Sequence, residues 1–270
     1  MAKASALYYY AGECRALWGA QMKRAALFFS AFVLALLFMP VLVLLLHARS
    51  VPQLLESASG IRAIEITLTS GLAALAIDIF LGMPLAWVLA RVLKPRWSRI
   101  WITLLLIPLL MPPLVLGLVL AYVVGPASPF GNLVSLLNTF PGLVLAQVYE
   151  SLPFFVLTAW GYLSAIPMTL EEDVWVLGKH PWQAFWFVIW PIARSGFAVA
   201  AAMAWARIVG AFGAPIIVAY HPSALPVAIW IQLEELGLPS ALGLAVWLVI
   251  VTLPLPVWLN WRFSRVRTDR

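Results

Sequence analysis

The chain has 270 residues, of which 64% are hydrophobic and only 10% are charged, and its formal net charge is +6. A soluble globular domain is about 45–50% apolar and about 25% charged, so this composition excludes an ordinary soluble protein and indicates a membrane protein. A single cysteine, Cys14, excludes an intramolecular disulfide and a cysteine-based metal cluster.

Long, predominantly apolar stretches predict six membrane-spanning helices, because about 20 apolar residues are needed to cross ~30 Å of hydrocarbon. Residues 1–24 are polar enough to remain outside the bilayer as a cytoplasmic or interfacial segment, and residues 262–270 form a basic tail. Between them we expect a transmembrane domain over residues 25–261, with spans at residues 25–46, 66–90, 100–124, 143–166, 195–219 and 241–260. The predicted fold class is all-α, a polytopic bundle of transmembrane helices.

The distribution of basic residues predicts how the helices are oriented. Fourteen of the seventeen Lys and Arg residues lie in the two terminal segments, in the loop after the second span or in the region between the fourth and fifth spans. Only Arg49 and Arg62 lie in the loop between the first two spans. Because cytoplasmic loops are enriched in Lys and Arg, we expect both termini to be cytoplasmic in an inner or plasma membrane. The positive net charge is then a signal of topology, and no nucleic-acid partner is predicted.

Residues 167–191 form the longest polar interruption of the membrane domain and contain a predicted short cytoplasmic helix. Its predicted apolar face consists of residues at i, i+4 and i+7, namely Leu170, Val174 and Leu177. The acidic residues beside this face are Glu171, Glu172 and Asp173. Gly178 is expected to end the helix in a left-handed conformation, which costs glycine little. A second, interfacial helix is expected over residues 182–192. This pattern indicates a docking site for a soluble partner; the alternative is an ordinary acidic loop.

The spacing from Glu172 to Gly178 and on to Pro191 resembles a loop of ABC importer permease subunits. In that family Glu-Ala-Ala is followed by three residues, Gly, nine residues and Ile-x-Leu-Pro. Here Asp173 and Val174 replace the two alanines, and a tryptophan replaces the leucine. The resemblance implies that residues 170–180 form the coupling helix, which docks into a cleft of a separate ATP-binding subunit.

Further segments resemble the permeases of molybdate, tungstate and sulfate importers. Residues 82–91 read GMPLAWVLAR, residues 107–125 read IPLLMPPLVLGLVLAYVVG, and residues 225–230 read LPVAIW. Residues 205–220, WARIVGAFGAPIIVAY, are similar to that group's Ala-Arg-Ala-Leu-Gly-Glu-Phe-Gly-Ala segment, with Ala211 at the position of the glutamate. Permeases for phosphonate, thiamine, iron and polyamines share much of this pattern and remain alternatives for the substrate.

Membership of this group implies a transport subunit without a catalytic site, metal or cofactor of its own. ATP and Mg would bind to the cytoplasmic ATP-binding subunit, and an extracytoplasmic solute-binding protein would deliver the substrate, an oxyanion. A second permease subunit, identical or different, would complete a dimer in the lipid bilayer. An ion-coupled secondary transporter is the alternative from another class. It would need membrane-embedded carboxylates, for which Asp78 and Glu150 are the candidates.

Polar and helix-breaking residues inside the spans predict where the substrate passes. Non-helical backbone at membrane depth is tolerated only against protein or a water-filled cavity, and a charge there faces a partner or a cavity. The candidate pathway residues are Pro112, Pro113, Gly117, Arg207, Gly210, Phe212 and Gly213. The alternative for the two prolines is a packed kink. For Arg207 the alternative is a static ion pair with Asp78 or Glu150.

Overall fold

The structure is a computed structural model that describes residues 2–47, 58–129, 131–178 and 180–264. Within these ranges the chain forms twelve α-helices and no strand, which confirms the all-α prediction. In chain order they are α1 (Ala2–His47), α2 (Ala58–Trp87), α3 (Pro95–Leu110), α4 (Pro113–Val124), α5 (Phe140–Ser164), α6 (Thr169–Val176), α7 (Pro181–Ala184), α8 (Trp190–Val209), α9 (Gly213–Val218), α10 (Leu225–Leu236), α11 (Leu238–Thr252) and α12 (Pro254–Ser264).

Five helical segments are long and apolar enough to cross a membrane: Met22–Leu46, Ser59–Val92, Phe140–Ser164, Phe185–Val209 and Leu238–Phe263. The bent pair α3 and α4 raises the number to as many as six when it is counted as one span. The predicted six-span bundle is therefore consistent with the described residues. Residues 1–48 and residues 49–270 are separate compact units, and the first span belongs to the former.

The centre of the second unit is built from α2, α5 and α8, which pack against one another along their lengths. Alanines at the contacts are completely buried, namely Ala74, Ala86, Ala159, Ala200 and Ala204. Small residues let helix backbones approach closely, and this close packing drives helix association in a membrane. The most buried span is α5, which places its polar side chains in the protein interior rather than against lipid.

The predicted third span, residues 100–124, is divided sharply at its proline pair, where the sequence predicts non-helical backbone or a packed kink. Helix α3 ends at Leu110, α4 begins at Pro113, and the two helices meet at an angle of 99°. The cause is local, because neither Pro112 nor Pro113 can donate a backbone hydrogen bond and each disfavours a helical conformation in the residue before it. The amide of Met111 makes the last bond of α3, to the carbonyl of Ile107 at 3.1 Å.

The fifth span is also displaced from its predicted position. It runs over Phe185–Val209, not residues 195–219, and the predicted interfacial helix over residues 182–192 continues directly into it. A π-helical turn over Phe185–Ile189 precedes Pro191, and the helix continues through the proline because this turn accommodates the missing amide donor. The span ends at Gly210, and residues 213–218 form the separate helix α9.

The last helices pack beside α2. The amide of Leu225, the first residue of α10, donates a 2.7 Å hydrogen bond to the Thr67 hydroxyl oxygen. Gly237 separates α10 from α11 with φ +82°, and helices α11 and α12 meet at Leu253. The indole of Trp205 in α8 donates a 3.1 Å hydrogen bond to the carbonyl of Thr252. The first bond holds α10 against the second span, and the second bond holds the sixth span against the fifth.

Candidate functional site

The predicted coupling helix exists as α6, Thr169–Val176, between the fourth and fifth spans. Its first turn follows the connector after α5. There the amide of Glu171 donates a 2.9 Å hydrogen bond to the carbonyl of Met168. Two glutamates lie in that turn, where the positive end of the helix dipole favours negative charge. The short helix therefore lies outside the spans, as the sequence predicts.

One acidic residue of α6 faces the protein itself. The Glu171 Oε1 atom lies 2.7 Å from Arg91 Nε, and both side chains are at most 5% exposed. Arg91 also donates from Nη2 to the carbonyl of Ile166 at 3.0 Å. Burial raises the pKa of the Glu171 carboxyl above its ordinary value, and the Arg91 guanidinium opposes that rise. The prediction that all three acidic residues face a partner is therefore wrong for Glu171.

The exposed surface of α6 differs from the predicted apolar face. Leu170 packs against the main hydrophobic core and Val174 is half-buried, because one side of the helix lies on the bundle. Leu177 follows the end of the helix and is 77% exposed, and Val176 beside it is 87% exposed. These two side chains, rather than three residues on one helical face, are apolar and accessible. The remaining acidic pair, Glu172 and Asp173, is exposed beside them.

The end of the coupling helix has the predicted backbone conformation. Gly178 has φ +73°, in the left-handed region that favours glycine, and a Cβ built there would meet no atom within 4 Å. The prediction for Gly178 is confirmed. Pro191, at the other end of the resemblance to the family loop, is the second residue of α8 and is exposed.

The second candidate site centres on a carboxylate in the middle of α5. Glu150 is 4% exposed, and its Oε2 atom lies 3.0 Å from Arg207 Nη2 in α8. Its Oε1 atom accepts a 3.0 Å hydrogen bond from the amide of Ala214, in the first turn of α9. The guanidinium carbon of Arg207 lies 5.6 Å from the centre of the Phe154 ring. One carboxylate thus joins α5 to both sides of the break after the fifth span.

Arg207 is not completely enclosed by this arrangement. Its side chain is 34% exposed, whereas the side chain of Glu150 is 1% exposed. The Nε atom of Arg207 is buried and has no hydrogen-bond partner among the described residues, so the accessible part of this side chain lies elsewhere than at Nε. A guanidinium has five N–H donors, so the ion pair with Glu150 leaves donors for a further oxygen ligand.

The other predicted carboxylate, Asp78, does not pair with Arg207. It is completely buried in α2, where its Oδ2 atom accepts a 2.5 Å hydrogen bond from the Ser151 hydroxyl of α5. That hydroxyl also contacts the carbonyl of Gln147 at 2.8 Å. Of the two charge partners proposed for Arg207, the structure therefore selects Glu150.

The broken third span packs against the break after the fifth. A Cβ built on Gly213 would lie 2.6 Å from the Cβ of Pro113, and a Cβ on Gly117 would lie 2.8 Å from the Cα of Ala214. These distances are too short for real side chains, so both glycines are required for α4 and α9 to touch. Two pathway segments far apart in sequence thereby meet.

The remaining predicted pathway residues lie around this contact. Gly210 is exposed and ends α8, and Pro112 is exposed at the turn before α4. Phe212 packs against Trp230 of α10 with ring centres 5.7 Å apart. Pro113 is therefore packed at the bend, whereas Pro112 is accessible in the turn.

Sequence reasoning missed three contributors to these sites. Arg91 was counted only as a topological charge, although it stands in the segment that resembles the importer permeases. Ser151, whose hydroxyl donates a hydrogen bond to Asp78, directly follows Glu150. This adjacency was the only indication in the sequence that Ser151 could belong to a polar cluster. No sequence pattern indicated that the amide of Ala214 would bond to Glu150, because a backbone donor becomes free only at the end of a helix.

Comparison with known protein families identifies a match over most of this architecture. The model of the family described as "Binding-protein-dependent transport system inner membrane component" matches residues 82–268, more than half of the chain. The matched segment includes both candidate sites apart from Asp78.

Similar curated proteins belong to oxyanion transport systems. A "Probable sulfate transport system permease protein cysT" of Chlorokybus atmophyticus is 31% identical over 232 residues, covering 81% of this chain and 79% of the relative. The molybdate/tungstate transport system permease protein WtpB of Thermococcus kodakarensis is 32% identical over 211 residues, covering 77% and 82%. The molybdenum transport system permease protein ModB of Azotobacter vinelandii is 35% identical over 168 residues, covering 60% and 74%.

Solved structures share the fold at lower sequence identity. A bacterial ABC transporter involved in the import of the acidic polysaccharide alginate has a chain with a TM-score of 0.72 and 18% identity, covering 93% of this chain and 99% of that chain. The MetNI methionine ABC transporter in an inward-facing conformation has a TM-score of 0.59 and 19% identity, covering 76% and 93%. At these identities the likeness shows the fold alone.

Proposed function

This chain belongs to the family of binding-protein-dependent transport system inner membrane components, and from this membership we propose which substrate it passes and how it is driven. It is a membrane-spanning permease subunit of an ABC importer. The proposed substrate is a small tetrahedral oxyanion such as molybdate, tungstate or sulfate. The observation that supports this choice is the similarity, over 79% and 82% of their lengths, to permeases named for sulfate and for molybdate/tungstate.

The chemistry around Arg207 supports an anionic substrate. Its partly exposed guanidinium retains N–H donors beyond the one that faces Glu150. A guanidinium binds planar pairs of oxygen atoms well, so these donors suit two oxygens of an oxyanion. The ion pair with Glu150 holds the guanidinium in place. Because the pair is close to neutral overall, it attracts an anion less strongly than an unpaired arginine would, so the anion can be released. We therefore place Arg207 on the route of the substrate.

Coupling to ATP requires a second protein, because the proposed activity needs a site for ATP and Mg that this chain is not expected to supply. We propose that a cytoplasmic ATP-binding subunit docks on the exposed side of α6, where Glu172, Asp173, Val176 and Leu177 are accessible. An extracytoplasmic solute-binding protein would deliver the oxyanion, and a second permease subunit would complete the pathway. The solved structures of similar fold are described as ABC transporters, and a further structure of a bacterial alginate ABC transporter, with a TM-score of 0.72 and 17% identity, is in complex with an alginate pentasaccharide-bound periplasmic protein.

An ion-coupled transporter remains the second candidate because of one observation. Asp78 is a completely buried carboxylate whose Oδ1 atom has no hydrogen-bond partner and which has no cationic partner among the described residues. A buried carboxylate inside the membrane is the kind of group that takes up and releases the proton in ion-coupled transport. Glu150 is already paired and is a weaker candidate for this role.

Reconstitution separates the two functions. The permease, its ATP-binding subunit and its solute-binding protein are placed in liposomes, and uptake of labelled molybdate and sulfate is measured with ATP or with a proton gradient. We expect uptake that requires ATP hydrolysis and is inhibited by unlabelled tungstate but not by thiamine or a polyamine. Uptake driven by the proton gradient without ATP would favour the second candidate, and ATP-driven uptake of thiamine or polyamine alone would refute the oxyanion.

A further inference from the structure

Arg91 makes two contacts to the segment that contains α6. It stands in the π-helical turn Val88–Val92 that ends the second span. Its Nε atom lies 2.7 Å from Glu171 Oε1, and its Nη2 atom donates to the carbonyl of Ile166 at 3.0 Å. Ile166 belongs to the connector between α5 and α6, and Glu171 belongs to the first turn of α6. A single guanidinium therefore holds the connector before α6 and the first turn of α6 at the same time.

The burial of this ion pair is unusual for a surface loop. The side chains of Arg91 and Glu171 are 5% and 4% exposed, whereas Glu172 and Asp173 on the same helix are exposed. Taking two charges out of water is costly, so a buried pair is a weak source of stability. Such a pair does fix geometry, because the planar fork of arginine donates to its partners in a restricted arrangement.

The position of the pair gives it a mechanical consequence. Residues 165–168 connect α5 to α6 without helical structure, and Pro167 lies in the middle of that connector. A connector of this kind can absorb a displacement of α6 by bending. The two contacts of Arg91 bracket the connector, at Ile166 before Pro167 and at Glu171 after it. A displacement of α6 is then transferred to the end of α2.

The second span leads from this point into the interior of the bundle. Helix α2 packs along α5 and α8, and Asp78 in α2 is hydrogen-bonded to Ser151 of α5. Glu150, the neighbour of Ser151, contacts Arg207 and the amide of Ala214. Packed elements and hydrogen bonds thus connect α6 to the break after the fifth span without interruption.

We infer that Arg91 is a positioning residue for energy coupling, because its contacts with Glu171 and Ile166 make α6 and the end of α2 move together. The inference rests on the proposed function only for its transport consequence. The clamp itself, defined as Arg91 with these two contacts, is a property of the permease alone. The two statements can therefore fail separately.

The first experiment tests the clamp in the permease alone. Amide hydrogen exchange of α6 is measured in lipid nanodiscs for the wild type and for Arg91→Ala, Arg91→Lys and Glu171→Gln. A charge-assisted hydrogen bond contributes about 1.5–3 kcal/mol, so its loss should accelerate exchange in α6 by roughly ten-fold or more. Arg99→Ala and Glu172→Gln are matched controls, because both side chains are exposed and neither touches the clamp. Equal exchange in Arg91→Ala and the wild type would overturn the inference.

The second experiment tests the consequence in the assembled transporter. ATP hydrolysis is measured with and without the loaded solute-binding protein, together with co-purification of the ATP-binding subunit and the melting temperature. We expect Arg91→Ala to retain the ATP-binding subunit but to lose stimulation by the binding protein at least about five-fold, a usual size for allosteric coupling. The charge-reversed pair Arg91→Glu with Glu171→Arg should recover part of the stimulation, and Arg91→Lys should lose less than Arg91→Ala.

Each outcome has a defined meaning. Unchanged stimulation in Arg91→Ala, or a loss that only parallels a lower melting temperature and lost assembly in every Arg91 and Glu171 variant, overturns the positioning role. Absence of ATP-driven oxyanion uptake by the wild type refutes the proposed function instead, and the exchange measurement on the permease alone still decides the clamp.

Discussion

Glu150 and Arg207 form an ion pair of 3.0 Å between the fourth and fifth spans, and the second oxygen of the same carboxylate accepts a hydrogen bond from the amide of Ala214 in α9, after the break that ends the fifth span. A charge inside a membrane span is tolerated when it is paired or faces a water-filled cavity, and Arg207 is paired with Glu150. Its side chain is 34% exposed, so pairing accounts for only some of its surface. The arrangement is consistent with a fixed guanidinium whose accessible side meets the substrate.

Replacing Arg207 tests whether this guanidinium acts on the substrate. Arg207→Leu should abolish oxyanion uptake, and it should also lower stability by about 1–3 kcal/mol because the buried carboxylate of Glu150 loses a charged partner. Thermal melting of the detergent-solubilised protein and uptake in proteoliposomes are the two measurements. Arg207→Lys should retain more stability than uptake, because an ammonium keeps the charge without the planar fork.

A double variant distinguishes contact with the substrate from a purely structural pair. In Arg207→Leu with Glu150→Gln, no unpaired charge remains and the side-chain amide oxygen can still accept from Ala214, so melting should return towards the wild type. Uptake should stay absent if Arg207 contacts the anion. Restored uptake in the double variant would show that the pair is only a strut between the helices.

The contact between the third span and the helix after the fifth makes a prediction about packing. Gly117→Val should disrupt uptake and destabilise the protein by about 1–3 kcal/mol, because a Cβ there would lie 2.8 Å from the Ala214 Cα. Gly161→Ala is the control: it lies in α5 with nothing within 4 Å, and alanine in a helix is favoured over glycine by roughly 0.5–1 kcal/mol. Unaltered melting and uptake in Gly117→Val would contradict the observed close approach.

The sequence predicted well those features that depend on short-range physics. Apolar length located the spans, and the requirement for a residue without a Cβ located the left-handed Gly178, whose φ is +73°. Register against the family loop located α6 within residues 167–191. These inferences need only neighbouring residues, so tertiary contacts could not overturn them.

Features set by tertiary contacts were predicted less well. The fifth span was placed about ten residues too late because Pro191 was read as a helix end, whereas a preceding π-helical turn accommodates it. Glu171 was assigned to the partner-facing surface because no local pattern distinguishes it from Glu172; only the position of Arg91 does. A 99° bend at Pro112 was likewise beyond prediction, because proline indicates a break but not its angle.

The orientation of the helices can be tested by labelling from outside the cell. After Cys14→Ser, a membrane-impermeant thiol reagent should label Asn132→Cys, which is exposed in the loop after α4, and should not label Val176→Cys in α6. We expect this result because basic residues are enriched in the segments on the same side of the membrane as α6, and such segments are cytoplasmic. Both positions should react after permeabilisation, which controls for accessibility. Labelling of position 176 in intact cells would reverse the proposed orientation.

The exposed acidic surface of α6 predicts a salt-dependent contact with the ATP-binding subunit. Glu172→Lys should weaken co-purification of that subunit, and the effect should be larger at low salt because surface charges are screened at high salt. Glu172→Gln, which removes the charge without inverting it, should have about half the effect or less, as expected for a rim interaction of at most ~1 kcal/mol. An equal loss at low and high salt would exclude an electrostatic origin.

Gly178 provides the sharpest test of the coupling helix, because the structure separates backbone strain from crowding at this position. Its φ is +73° and a Cβ would meet no atom within 4 Å, so a substitution there acts through the backbone alone. Left-handed backbone costs a residue with a Cβ about 1–2 kcal/mol, except that asparagine tolerates it better. Gly178→Val should therefore distort the segment after α6 and uncouple ATP hydrolysis from uptake, while Gly178→Asn should retain most of both.

Gly237→Ala is the matched control, since Gly237 also has positive φ, +82°, but lies between α10 and α11. It should lower the melting temperature without reducing stimulation of ATP hydrolysis by the binding protein. If Gly178→Val keeps wild-type stimulation and uptake, α6 does not couple the permease to ATP; if Gly237→Ala uncouples equally, the effect reflects general strain and not this helix.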